Sequence, residues 1–210
     1  ELTNYEKSTF NKEIISFNQQ LFRLKEKKIR IGIYGKSGVG KSSILNSLLN
    51  KNVFKTDIIN GSTKQIEGID WSFKHKTLKG IELLDCPGFD FDNVNFKNNT
   101  SSQINNAELI LFTVSGDLNR NELIRINSFI KNGKKLIMLL NKIDIWDEKE
   151  LKEIIKNIKL KLPENLQIPI IINSGNNIRN EIKKILNNHG ESLLTLNSFQ
   201  LADKLFLKIK

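Results

Sequence analysis

Gly35-Lys36-Ser37-Gly38-Val39-Gly40-Lys41-Ser42 sets two glycines, a lysine and a hydroxyl at the spacing G-x-x-x-x-G-K-[ST]. Glycines let the backbone curl until successive N–H groups converge, and a helix start behind them adds the positive end of its dipole. The resulting cup suits a polyphosphate. Lys36, Ser37, Gly38, Val39, Gly40 and Ser43 would line it, Lys41 would reach the β- and γ-phosphates, and Ser42 would ligate Mg²⁺. Downstream, Asp85-Cys86-Pro87-Gly88 can hold Mg²⁺ through a water and offer the Gly88 N–H to the γ-phosphate. Asn141-Lys142-Ile143-Asp144 selects guanine. Asp144 can accept from the ring N–H and the exocyclic amine, Asn141 can bond the base edge, and the Lys142 stem can lie over the ring. Adenine lacks that donor pair and would leave the carboxylate unpaired, at a cost of about 1–3 kcal/mol or more. Ser174-Gly175 can bring a backbone N–H near the guanine carbonyl.

These groups work together only if the fold gathers them at one edge. Before the cup, Lys28 to Tyr34 reads as a strand, and after it Ser43 to Leu49 reads as a helix. A long loop, Lys51 to Thr63, leads to two strands at Gln65–Lys74 and Leu78–Leu84, joined by a polar turn that contains His75. A loop rich in Phe, Asp and Asn follows from Phe89 to Asn99. Leu109 to Val114 is a continuous apolar run, as a strand buried on both faces should be. Asn119 and Glu122 form a capping pair for a helix ending at Lys131. The pattern then gives a strand at Lys135–Leu140, a helix at Glu148–Lys161, a strand at Ile168–Ile172 and a helix at Ile178–Leu186. Helices separate most of the strands, so this is an α/β chain with a largely parallel sheet. Every motif falls at a strand's carboxyl end, where such sheets bind ligands. Neither His75 nor His189 has metal-ligand partners at a useful spacing; His75 reads as a plain turn residue and His189 as a residue near a helix C-terminus, where a cation is mildly favourable.

With 210 residues, 39% hydrophobic and 27% charged, one core is expected, and no apolar run is long enough to cross a bilayer. The single cysteine, Cys86, permits no internal disulfide and, with no secretory signal visible, makes the cytoplasm the default location. The net charge of +10 reads as a lysine-rich surface more than a nucleic-acid site, because aromatic residues are not interleaved with the basic ones. Phe10, Ile14, Phe17, Leu21 and Leu24 mark an amphipathic helix within residues 1–27. It reads equally as a stalk for a partner or as packing for the domain's own C-terminal helix. Leu194, Leu201, Leu205 and Phe206 outline a second amphipathic helix in residues 189–210, expected to continue past Lys210 and to pair with the first. The start without Met is expected to be a trimmed one.

Three motifs in order give residues 28–186 a resemblance to P-loop GTPases of the translation-factor-related class. Gly-Lys-Ser-Gly-Val-Gly-Lys-Ser-Ser-Ile-Leu-Asn-Ser-Leu-Leu is most similar to the Era, TrmE and immunity-related branch, and the tail after Gly190 resembles small cyanobacterial GTP-binding proteins, some membrane-associated. That resemblance implies a Ras-like GTPase domain over residues 28–188, with a mostly parallel six-stranded sheet and helices on both faces. It implies slow GTP hydrolysis with Mg²⁺ held by Ser42, Asp85 and Thr63, Ser62 competing for the last role, and Lys41 and Thr63 serving catalysis. Phe89 stands where Ras-like enzymes carry the glutamine that orients water, and Gly38 where TrmE-like members carry an asparagine that recruits potassium. Catalytic help from another group, a protein effector or a homodimer partner is therefore implied. Unassisted turnover is expected to be no faster than the order of 10⁻³ s⁻¹. The competing readings are an RNA-associated GTPase of the Era kind and a non-hydrolysing scaffold whose assembly GTP gates.

Overall fold

A computed structural model describes residues 4–54, 67–72, 75, 77–89, 107–173, 178–189 and 192–193. Helix α1 (Asn4–Lys25) precedes strand β1 (Lys28–Gly35), helix α2 (Lys41–Leu49), and strands β2 (Glu67–Asp70), β3 (Gly80–Asp85) and β4 (Leu109–Val114). Then come α3 (Arg120–Lys131), β5 (Lys135–Leu140), α4 (Glu148–Lys161), β6 (Ile170–Ile172) and a helix α5 at residues 178–189. The strands lie in the order β2-β3-β1-β4-β5-β6, and only β2 runs antiparallel to its neighbour.

Alternation along the central strands divides the core between two faces. Ile29, Ile31 and Ile33 of β1 join Leu109 and Leu111 of β4 beneath α2 and α5, which contribute Ile44, Leu45, Leu48, Ile178, Ile182 and Leu186. Tyr34, Ile110, Phe112 and Val114 turn the other way, onto Ile126 and Phe129 of α3 and Ile154 and Ile158 of α4. All six residues of β4 are buried, which is why that stretch shows no period of two. The expected α/β architecture stands, and the departures are at element ends. Helix α2 begins at Lys41 because Gly40 makes the entering turn with φ 90. Strand β6 is shorter than the apolar run, beginning after Pro169, which has no N–H to give a ladder. The capping box of Asn119 and Glu122 is formed in both directions, at 3.0 and 2.9 Å.

His75 does more than fill its turn. Its Nδ1 accepts from the Thr77 and Leu78 amides at 3.0 and 2.9 Å, so Nε2 carries the hydrogen and donates to the Leu186 carbonyl at 2.9 Å. This ties the β2–β3 connection to α5. Helix α1 is bound to the sheet by a buried ion pair, Arg23 Nη2 to Glu108 Oε1 at 3.2 Å, while Leu24 packs against the cluster under α2 and α5. Burial raises the Glu108 pKa against the opposing pull of Arg23 and the Arg30 amide, and burial lowers that of Arg23 against the pull of Glu108. Phe10 and the apolar positions 194–206 expected to pair with α1 have side chains outside the described residues.

Candidate nucleotide site

The cup forms where β1 ends and α2 begins. Lys41 is buried and folds back over the loop, Nζ donating to the Lys36 carbonyl at 2.7 Å. Ser42 Oγ donates to Asp85 Oδ2 at 2.6 Å, which brings the hydroxyl expected to ligate Mg²⁺ against the carboxylate from the end of β3. Both are hard oxygen donors of the kind Mg²⁺ prefers, and among the described residues no group of three or more His, Cys, Asp or Glu competes for a metal. The pair fits a cation that takes its other ligands from phosphate and water.

The Asp85-to-Gly88 turn sits directly on the cup. A Cβ on Gly88 would lie 2.5 Å from the Ser37 amide nitrogen, so only glycine allows this approach. Cys86, between them, is fully buried, and loss of hydration, with Asp85 adding to it, pushes its thiol far above the usual range, which makes it an inert packing residue.

Phe89 turns away from the cup. Its ring stacks on Tyr34 at 5.5 Å between centroids and 21° between planes, lies 6.5 Å from Phe112, and carries the Arg125 guanidinium 5.7 Å above it. A side chain at this position enters the aromatic cluster under α3, where it has no attacking water to hold. Phe89→Gln is therefore expected to give no gain in GTP hydrolysis in single-turnover assays, while urea denaturation shows a loss of about 1–3 kcal/mol from the cluster.

At the base end, Asn141 bonds mostly to the protein. Its Nδ2 donates to the Val39 carbonyl at 2.7 Å, and its Oδ1 accepts from Asn173 Nδ2 at 2.6 Å. It thus rivets the end of β5 to the cup and to the end of β6. Gly40 makes room, since a Cβ there would run into the Asn141 amide. Lys142 adopts a left-handed turn at φ 56, which leads into a single 3-10 turn, Ile143–Ile145, and leaves Asp144 exposed at the rim. Trp146 Nε1 donates to the Ser115 carbonyl at 3.1 Å and holds that turn against the loop after β4.

Lys36, Ser37, Gly38, Val39, Gly40, Lys41, Ser42, Ser43, Asp85, Gly88, Asn141, Lys142 and Asp144 thus gather at the carboxyl ends of β1, β3 and β5. Thr63, its competitor Ser62, and Ser174 and Gly175 lie outside the described residues. Sequence reasoning missed Asn173 and Trp146. The only signal for the first was its place beside Ser174 at the end of the last strand, and for the second its place two residues past Asp144.

Comparison with known proteins adds three findings. A family model described as "50S ribosome-binding GTPase" matches residues 30–142. The chain is 30% identical over 199 residues to the tRNA modification GTPase MnmE of Thermoanaerobacter sp. (strain X514), covering 84% of this chain and 42% of that protein. It is 29% identical over 164 residues to the GTPase Era of Histophilus somni (strain 129Pt), covering 74% and 53%. The chain therefore spans about half or less of these relatives' own lengths. A solved structure of Era in complex with MgGDPNP and nucleotides 1506–1542 of 16S ribosomal RNA superposes with a TM-score of 0.63 at 28% identity, covering 76% of this chain and 56% of that one.

Proposed function

The chain belongs to the 50S ribosome-binding GTPase family, and from that premise we propose that it is a slow GTP-operated switch whose hydrolysis depends on help from outside the cup. The observation that carries this reading is the Asn141 bridge, which joins a guanine-selective loop to a phosphate loop through Val39. Nucleotide enters with its base toward Asp144 and its phosphates in the curl from Lys36 to Ser43. Ser42 and Asp85 would hold Mg²⁺, with Thr63 completing the set in the GTP state, and the cation would supply charge neutralisation for the phosphates. The Era structure holds MgGDPNP, which supports a Mg²⁺-bound guanine nucleotide as the ligand here. Water attacks the γ-phosphorus in line as the bond to the bridging oxygen breaks, and the charge that develops there is met by Lys41 and the loop N–H groups. With Phe89 committed to the aromatic cluster, the water is oriented by a group from elsewhere, a protein effector or a second copy.

Lys41→Ala tests the reading. Single-turnover hydrolysis is expected to fall on the order of 10²–10³-fold from an already slow wild-type rate, as when a charge-stabilising donor is removed. Wild-type protein that hydrolyses no faster than Lys41→Ala while still binding GTP would identify the non-hydrolysing scaffold and overturn the switch.

A second reading, RNA association, is favoured by the likeness to an RNA-bound Era structure and by the net charge of +10. Filter binding across a salt series separates the two, since phosphate contacts make affinity fall steeply with salt. Membrane attachment rests on the resemblance of the tail and on apolar positions outside the described residues, and among the described residues no helix is long and apolar enough to cross a bilayer. A cytoplasmic location is in keeping with the buried, unpaired Cys86.

A further inference from the structure

Far from the nucleotide cup, the last strand of the sheet borders a groove of about 570 Å³ between α4 and β6. Its floor is apolar, formed by Ile155, Leu162, Pro163, Ile168 and Ile170, and its rim carries Lys152, Lys156 and Lys159 against a single acidic residue, Glu164. The lysines are not a general feature of α4 spread around its axis. Positions 152, 155, 156, 159 and 160 fall on one face at spacings of three and four, so the cations and two apolar residues share that face. Leu160 on the same face is 70% exposed. Lys161 is turned elsewhere, bonded to Asp117 at 2.7 Å, and Lys152 is ion-paired with Glu148 at 2.7 Å, an exposed pair of the kind worth little in water.

Among the described residues β6 is the last strand in the sheet and pairs with β5 alone. Met138 N–H donates to the Pro169 carbonyl and Asn173 N–H to the Leu140 carbonyl, both at 2.8 Å. Residues 169 and 173 thus face β5, and by alternation the N–H and C=O groups of Ile170 and Ile172 face away from the sheet. A polypeptide that pairs with them would run along the edge with every second side chain rising toward the α4 face.

We propose that the β6 edge and the α4 face form a docking site for an extended acidic and apolar segment of a protein partner, which adds a strand to the sheet. Backbone pairing with Ile170 and Ile172 supplies register, the apolar floor takes the aliphatic side chains, and Lys152, Lys156 and Lys159 select carboxylates by charge complementarity. An RNA strand would be met by the lysines, but the groove offers it an aliphatic floor without an aromatic side chain for base stacking. A lipid surface is flat and would leave the concave edge unfilled. Lysines beside an edge strand also serve to discourage self-pairing, and a site of that kind would bind no peptide.

The test is fluorescence polarisation with the full chain and a fluorescein-labelled octapeptide repeating two valines and two aspartates, so that each face of the extended peptide carries both. Saturable binding is expected. Lys156→Glu combined with Lys159→Glu, two exposed positions outside the nucleotide site, should weaken it tenfold or more with GTP binding unchanged. The same peptide N-methylated at alternate residues should also bind at least tenfold more weakly, because it cannot complete a ladder. Absence of binding up to about 1 mM peptide, an affinity limit near −4 kcal/mol, overturns the proposal, as does indifference to N-methylation or to the charge reversal. Capture of a uridine oligonucleotide or of phosphatidylserine vesicles by the same lysines, with no capture of the peptide, likewise overturns it.

Discussion

Asp144→Asn is expected to exchange guanine for xanthine. Guanine presents two donors side by side, the ring N–H and the exocyclic amine, and a carboxylate accepts from both. Asparagine keeps one acceptor but replaces the other with an NH₂, which meets the guanine amine donor to donor. Xanthine has a carbonyl oxygen where guanine has that amine, so it restores both bonds to the variant. A site built around buried hydrogen bonds rejects the mismatched analogue strongly, and GTP affinity should fall on the order of 10²–10⁴-fold while XTP affinity rises to replace it. Because Asp144 is exposed in a 3-10 turn, the fold should hold within about 0.5 kcal/mol. Competition of unlabelled GTP and XTP against a fluorescent nucleotide reads the outcome. Unchanged GTP affinity in the variant would place guanine recognition elsewhere.

That reading is legible in the sequence because the chemistry of the site is concentrated in short contiguous stretches. Gly35 to Ser42, Asp85 to Gly88 and Asn141 to Asp144 each follow a strand whose apolar run is visible, so position and residue type reinforce each other. The strands at Leu109–Val114 and Lys135–Leu140 and the helix at Glu148–Lys161 appear with the boundaries that their patterns suggest. In the strands apolar pattern and burial agree, and in the helix pattern, capping box and burial agree.

The residues that sequence reasoning undervalued act at a distance. Asn141 pairs with Asn173 across 32 positions, Arg23 with Glu108 across 85, and His75 with Leu186 across 111. Single side chains that bond a remote backbone or a remote polar group leave no period, no motif and no run. Asn141 illustrates the cost: its type announced a base contact, whereas its Nδ2 and its Oδ1 each bond another loop of the protein. The direction of Phe89 was legible only as a chemical incapacity to orient water. That it fills a cluster with Tyr34 and Phe112 depends on which face of β1 and β4 each ring takes.

The Arg23–Glu108 pair leads to the largest expected effect on stability. Arg23→Met should cost about 3–5 kcal/mol, since it leaves a carboxylate buried at 3% exposure without its cation. The loss should depend on pH in a defined direction. Burial already holds the Glu108 pKa above 4.5, and removal of Arg23 raises it further. Between the unfolded and the folded pKa the native state then binds the additional proton, so stability falls as pH rises through that window. The deficit relative to wild type should be greatest where Glu108 is ionised in both proteins and shrink as pH falls. Glu108→Gln added to Arg23→Met removes the buried charge and should recover part of the loss and flatten the pH dependence, as measured by urea denaturation from pH 5 to 8. Deletion of residues 1–26 removes Arg23 and Leu24 together and should be at least as damaging as Arg23→Met. A deletion variant as stable and soluble as the full chain would show that α1 is an appendage, and the ion pair a surface detail, with the GTPase core complete from Lys28 onward.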